Sequence, residues 1–142
     1  SMNKYIDSNP ELGKQFYKDF NSKGKIVMLN LLRFKKIADY TGIEGLKPEK
    51  DITGKDAYEL YMKSTLPILE KAGSRVLFQG ESKGFLIGPE DIIWDAVLLV
   101  EHESVTKFIE LSQNQEYLKT AGHRQAALED SRLLPISENS VG

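Results

Sequence analysis

Apolar residues recur along this chain with two periods. Leu12, Phe16 and Phe20 stand four apart behind Asn9-Pro10, an N-cap followed by a proline suited to the first helical turn. This spacing predicts a short helix near residues 10–21, docked outside the main core. Lys25–Phe34 then changes to strand character. Ile26, Met28, Asn30, Leu32 and Phe34 share one face, and Val27, Leu29, Leu31 and Arg33 share the other. Residues 35–53 show no period. So long a connection predicts a functional lid, a covering flap or a mobile insert, with Ile37, Tyr40 and Ile43 available for packing.

Thr53-Gly54 opens the next helix. Its inward stripe is Tyr58, Met62, Thr65, Leu69 and Ala72, flanked by Tyr61 and Leu66; Pro67 predicts a kink and Gly73 the stop. Ser74–Ile87 reads as a strand with a bulge or bend at Gly80 and Gly84, and Gly88–Asp91 as its turn. Trp94–His102 reads as the third strand, with Trp94, Ala96, Leu98, Val100 and His102 on one face. Ser104 caps a short helix carrying Phe108, Ile109 and Leu111. An amphipathic helix follows from Asn114, then a strand over Ser131–Ile136.

The order is a helix followed by β-α-β-β-α-β, the α+β ferredoxin-like pattern with an antiparallel sheet and an extra N-terminal helix. One domain is expected: a helical extension over 1–24, a ferredoxin-like core over 25–136 and a polar tail over 137–142. Helices cover one sheet face. The other would carry Val27, Leu29, Leu31, Leu77, Val97 and Leu99, edged by Arg33, Arg75, Glu81, Asp95 and Glu101. Apolar in the middle and charged at its rim, such a face predicts a homodimer joined sheet to sheet.

In the last helix, steps of about 100° put Tyr117, Ala121, Arg124 and Leu128 on one arc and His123 toward solvent. Arg124 is then the charge aimed at the core, and it needs an anionic or carbonyl partner. Gly122 is the position where a kink would change this geometry. By facing, Asn30, Tyr58, Trp94 and Arg124, with Thr65, line one helix–sheet cleft suited to an acidic or oxygenated small metabolite. His123 and Arg132 form a second candidate site. The mundane alternative is that these polar groups satisfy one another or the backbone.

Composition narrows the classes. The 142 residues carry a net charge of −2, which argues against a nucleic-acid partner. The absence of cysteine excludes disulfides and thiolate chemistry and suits a cytoplasmic setting. No apolar run is long enough to span a membrane, and no signal-peptide pattern precedes the fold; Ser1 ahead of Met2 reads as an added residue. Only two histidines occur, far apart, so no metal site is expected, and neither a P-loop nor a dinucleotide glycine fingerprint asks for a cofactor. His102 reads as a strand-end residue.

Several stretches resemble the bacterial "domain of unknown function 1330" family of the dimeric α/β-barrel superfamily. They are Ile26–Phe34, Ala38-Asp39-Tyr40, Gly54 with Ala57-Tyr58 and Tyr61, and Pro67 through Gly73-Ser74-Arg75-Val76-Leu77. Ile87-Gly88-Pro89, Trp94-Asp95, Glu116-Tyr117 and His123-Arg124 through Ser131-Arg132-Leu133 continue the match. Ser74 departs from the usual Gly-Gly pair, and the N-terminal helix lies outside the match. The resemblance implies a dimeric α/β barrel. It leaves the reaction open, because relatives in the superfamily include cofactor-independent monooxygenases, isomerases, dehalogenating and haem-dependent enzymes and binding modules. Two readings stand: a small enzyme using the helix–sheet cleft, or a non-catalytic small-molecule-binding or structural dimeric module.

Overall fold

A computed structural model of the chain describes residues 3–139. Ser1, Met2 and the end of the polar tail lie outside the described residues. The elements run α1 (Pro10–Phe20), β1 (Ile26–Phe34), α2 (Gly54–Lys71), β2 (Arg75–Glu81), β3 (Ala96–His102), α3 (Val105–Ser112), α4 (Gln115–Thr120), α5 (Gly122–Ala127) and β4 (Leu128–Ile136). The sheet order is β2-β3-β1-β4, and every pairing is antiparallel. This is the ferredoxin-like split βαβ arrangement.

The caps form as side-chain chemistry requires. Asn9 accepts from the Leu12 amide, Thr53 from Asp56, Ser104 from Lys107 and Asn114 from Tyr117. Gly73 ends α2 at a φ of +74°, which a side chain would resist. β1 alternates as expected: Ile26, Met28 and Leu32 are buried beneath helices, while Val27, Leu29 and Leu31 on the other face are only half-buried. Phe16, Phe20 and Phe108 close the core around Ile26, Met28 and Val105, so α1 buries none of its own residues completely.

Four expectations need correction. First, β2 ends at Glu81, and its pairing with β3 slips between Val76 and Phe78 rather than at either glycine. The extra residue, Leu77, reverses the alternation. Phe78 now faces the open side opposite Leu99, and Glu81 moves to the helix side, where it pairs with Lys55. Second, β3 begins at Ala96, not Trp94, and the Asp95 carboxylate just before it accepts the Phe34 amide at 2.7 Å. Third, Leu66 is exposed, whereas Tyr61 belongs to the buried stripe of α2. Fourth, the last helix is two helices, α4 and α5, separated at Ala121, and β4 starts at Leu128, three residues before Ser131.

Residues 35–53 form a packed flap. The Lys35 amide donates to Ala127 O, Ala38 to Ile52 O, Asp39 to Ala126 O and Gly54 to Lys35 O. Tyr40 is buried, and Ile43, Leu46 and Ile52 pack on the central cluster. Gly54 fits only because it lacks a side chain: a Cβ there would stand 2.3 Å from Lys35 O and 2.6 Å from Ala127 O.

The flap also explains why His123, expected toward solvent, is buried. Ile43 and Leu46 seat against Gly122, where a Cβ would meet them at 2.7 and 2.8 Å. The side of α5 that periodicity assigns to solvent therefore lies under the flap. His123 is 8% exposed, and its Nδ1 lies 2.7 Å from the Tyr40 hydroxyl. Arg124 turns instead to the N-terminal segment and donates to Ile6 O at 2.8 Å. The expected carbonyl partner is thus Ile6, and Asp7 adds an anionic neighbour at 3.8 Å.

That segment packs along the start of β4. The Tyr5 amide donates to Asp130, Ser131 donates to Tyr5 O, and Lys4 pairs with Glu129.

Candidate functional site

A cleft of about 880 Å³ lies between α2 and the helix side of β1, β3 and β2. One stripe of α2 makes its wall: Lys55, Tyr58, Glu59, Met62, Lys63 and Leu66, spaced three and four apart. Leu32, Phe34, Ala96 and Leu98 make an apolar floor. Lys35, Ser82, Lys83, Glu81 and Asp95 complete the rim. The Lys55–Glu81 pair, 3.1 Å apart, ties wall to rim across the mouth. Its hydrogen bond to Glu81 holds the Lys55 ammonium above its ordinary pKa.

Tyr58 is the polar group deepest in the wall. Its ring packs on Phe34 at 5.5 Å and on Tyr61 at 5.2 Å. Burial pushes its phenol up to about 12, against the opposing charge of Arg124. At neutral pH Tyr58 is therefore a neutral hydrogen-bond donor. Tyr61, behind it, is raised well above 10 by burial and shares a 2.8 Å hydrogen bond with the Tyr117 hydroxyl.

Of the expected cleft residues, only Tyr58 lines this cavity. Asn30 faces the helices but donates to Leu98 O at 3.2 Å, so the sheet itself satisfies it. Trp94 lies elsewhere: its ring covers the guanidinium of Arg132, 5.1 Å away, with Tyr5 4.9 Å away as a second aromatic neighbour. Arg132 stands opposite Leu31 in the β1–β4 pairing, which places this stack on the open sheet side. Arg132 also binds Asp130 at 2.6 Å. Burial would raise Asp130, but hydrogen bonds from Tyr5, Arg132 and Ser131 outweigh it and lower its pKa. Arg124 reaches the cleft only through its field on Tyr58, and Thr65 is buried without a hydrogen-bond partner. His123 and Arg132, the second candidate pair, bond to different partners, Tyr40 and Asp130.

Sequence reasoning missed the lysine rim. Its signal was present in Lys55, Glu59 and Lys63, spaced by four. It also missed the buried pair of Ser74 Oγ and His102 Nδ1, 2.8 Å apart. Burial depresses His102 to about 4. Neither residue lines the cleft, so the pair is a core contact rather than a nucleophile and base facing a substrate. A second groove of about 570 Å³ runs between α2, α3 and α4. Most of its charges pair among themselves, Lys107 with Glu110 and Lys119 with Glu116 at 3.1 Å. Among the described residues no three histidine or carboxylate side chains converge as metal ligands, and no helix is long and apolar enough to cross a membrane.

Fold and cleft define a small α+β protein of ferredoxin-like topology with a lysine-rimmed cavity between helix and sheet. The chain belongs to the family described as Domain of unknown function (DUF1330), whose sequence profile matches residues 48–136. Among solved structures it is similar to a protein of unknown function from Rhodopseudomonas palustris, RPA0582. The identity is 34% over 98% of this chain and 100% of that one, with a TM-score of 0.83. The methylated RPA0582 protein matches at 36% identity over 99% of both chains, with a TM-score of 0.86. No curated protein matches the chain.

Proposed function

We propose that the cleft binds a small molecule with an apolar body and an acidic or oxygenated group, and that the protein acts as a homodimer joined through its open sheet face. The observation that carries the binding reading is the placement of Tyr58. Tyr58, a buried and neutral phenol, lines the cleft beside an apolar floor, where Lys35, Lys55, Lys63 and Lys83 outnumber Glu59, Glu81 and Asp95. Such a site accepts an oxygen at the phenol, an anionic group at the rim and a hydrocarbon between them. No histidine lines the cleft. Binding, with polarisation of a bound oxygen, is therefore the chemistry best supported. A cytoplasmic setting belongs to the same reading, supported by the cysteine-free sequence.

The dimer reading rests on the half-buried Val27, Leu29, Leu31, Val97 and Leu99, joined by Phe78, which is 57% exposed. The Arg75–Glu101 pair at 3.0 Å borders this patch. Two copies related by a two-fold axis would bury it.

Thermal-shift and calorimetric titration with a panel of aromatic and aliphatic carboxylates tests the cleft. At least one compound should bind, and Tyr58→Phe should weaken that binding about tenfold, the worth of one buried hydrogen bond. Binding unchanged in Tyr58→Phe and in Lys63→Glu would place the ligand elsewhere and overturn the reading. Sedimentation tests the dimer: wild type should be dimeric at micromolar concentration and Leu31→Asp monomeric. A monomeric wild type removes the dimer.

A further inference from the structure

Between β2 and β3 the chain leaves the sheet as a narrow two-stranded arm. The Ser82 amide donates to Asp95 O, the Trp94 amide donates to Lys83 O, and Gly84 bridges Ile93. Residues 81–91 form an unbroken exposed run. At its end stand three consecutive large apolar residues. Phe85 folds back over Gly88, where a Cβ would meet its ring at 2.7 Å. Leu86 is fully exposed and Ile87 is 92% exposed. A folded-back aromatic that presents its two aliphatic neighbours to water is an arrangement soluble chains rarely keep uncovered.

We infer that this arm is a clasp, and that its Leu86-Ile87 tip lies on a second copy of the same chain. The inference rests on the dimer reading above and extends it. Continuity favours a second copy: the arm grows directly from β2, the strand that carries the exposed Phe78 on the open face. Size points the same way. The open face offers roughly a dozen residues, about half of the 20–30 that a stable interface takes from each side, and an arm of similar length supplies the rest. The acidic Glu90 and Asp91 beside the tip disfavour an anionic lipid surface. The arm also reaches the proposed ligand site, because Ser82 and Lys83 at its foot line the cleft. Seating the arm on a second copy therefore fixes one wall of that cleft.

The cysteine-free chain permits a direct test. Leu86→Cys is made alone and together with Leu31→Asp, and maleimide modification is timed on both. The clasp requires the introduced thiol to react at least tenfold more slowly in the dimer than in the monomeric double variant. Should Leu31→Asp fail to fold, the same comparison is made with Leu86→Cys alone, above and below its dimer dissociation concentration. Ile87→Asp should raise the dimer dissociation constant at least tenfold. A Leu86→Cys dimer whose thiol reacts at the free rate overturns the clasp and leaves the sheet-face dimer standing. A wild type that is monomeric throughout removes both. Protection that arises only on adding anionic vesicles overturns the clasp in favour of a lipid surface.

Discussion

His102 should make the fold measurably weaker in mild acid. Its ring is buried against Phe108, at 4.9 Å, and its Nδ1 is bonded to Ser74. Burial lowers its pKa from 6.5 to about 4. The unfolded chain therefore takes up the proton before the folded chain does. The stability owed to a neutral His102 is complete above pH 6.5, falls as pH drops from 6.5 toward 4, and is then exhausted. Two and a half pKa units correspond to about 3 kcal/mol in full, and about 2.5 kcal/mol of that is lost by about pH 4.5. His102→Asn keeps an acceptor for the Ser74 hydroxyl and cannot titrate. Urea melts at about pH 7.5 and 4.5 should show wild type losing about 2.5 kcal/mol more than His102→Asn. His123 is shifted in the same direction by burial, so His123→Asn serves as the second reference. Parallel losses in wild type and His102→Asn would mean that the folded protein protonates His102 at its ordinary pKa, and the burial argument would fail.

Three further outcomes follow from the flap and its neighbours. Gly54→Ala should destabilise by several kcal/mol in denaturant melts, because its Cβ would collide with the backbone of Lys35 and Ala127 rather than with a flexible side chain; a cost under about 1 kcal/mol would show that this junction relaxes freely. His123→Ala should cost about 2–3 kcal/mol, since it leaves the buried Tyr40 hydroxyl without its partner and opens a cavity. Arg124→Ala should cost about 1–2 kcal/mol through loss of the bond to Ile6 O, so a larger loss for Arg124 than for His123 would contradict the observed burial. The amides of Ala38 and Asp39, both hydrogen-bonded, should exchange hydrogen slowly without any ligand, and rapid exchange would return residues 35–53 to the class of mobile lids.

What the sequence could show follows from which interactions are local. Alternation in Ile26–Phe34 and four-residue spacing in Gly54–Lys71 are local, and they sufficed for element order, caps and topology. The slip at Leu77 is not local. It arises because two residues of β2 oppose one of β3, and period-two reading carries every later residue to the wrong face. Glu81 was thereby assigned to the open face, and Phe78 was lost from it. His123 failed for a related reason. Helix phase assumes that one side of a helix meets solvent, yet Tyr40, more than eighty residues earlier, covers that side. Trp94 was placed by carrying strict alternation back past Ala96, whereas it stacks with Arg132 on the open side.

The small residues that pin the flap also set the precision of the cleft. Ala57, Ala126 and Ala127 are completely buried and let α2 lie close to α5. Gly54 brings the start of α2 against Lys35 and Ala127, and Gly122 receives Ile43 and Leu46. Tyr58 follows Ala57 directly and shares the buried cluster of Ala57, Ala126 and Ala127. The opposite wall differs. β2 is an edge strand with a bulge, and Ser82 and Lys83 belong to an arm that touches little of its own chain. One wall is thus fixed by backbone packing within the chain, and the other depends on what the arm rests against. A rigid phenol facing a wall that a second copy completes would make ligand affinity rise with dimer formation. By linkage, ligand should tighten the dimer by the same factor.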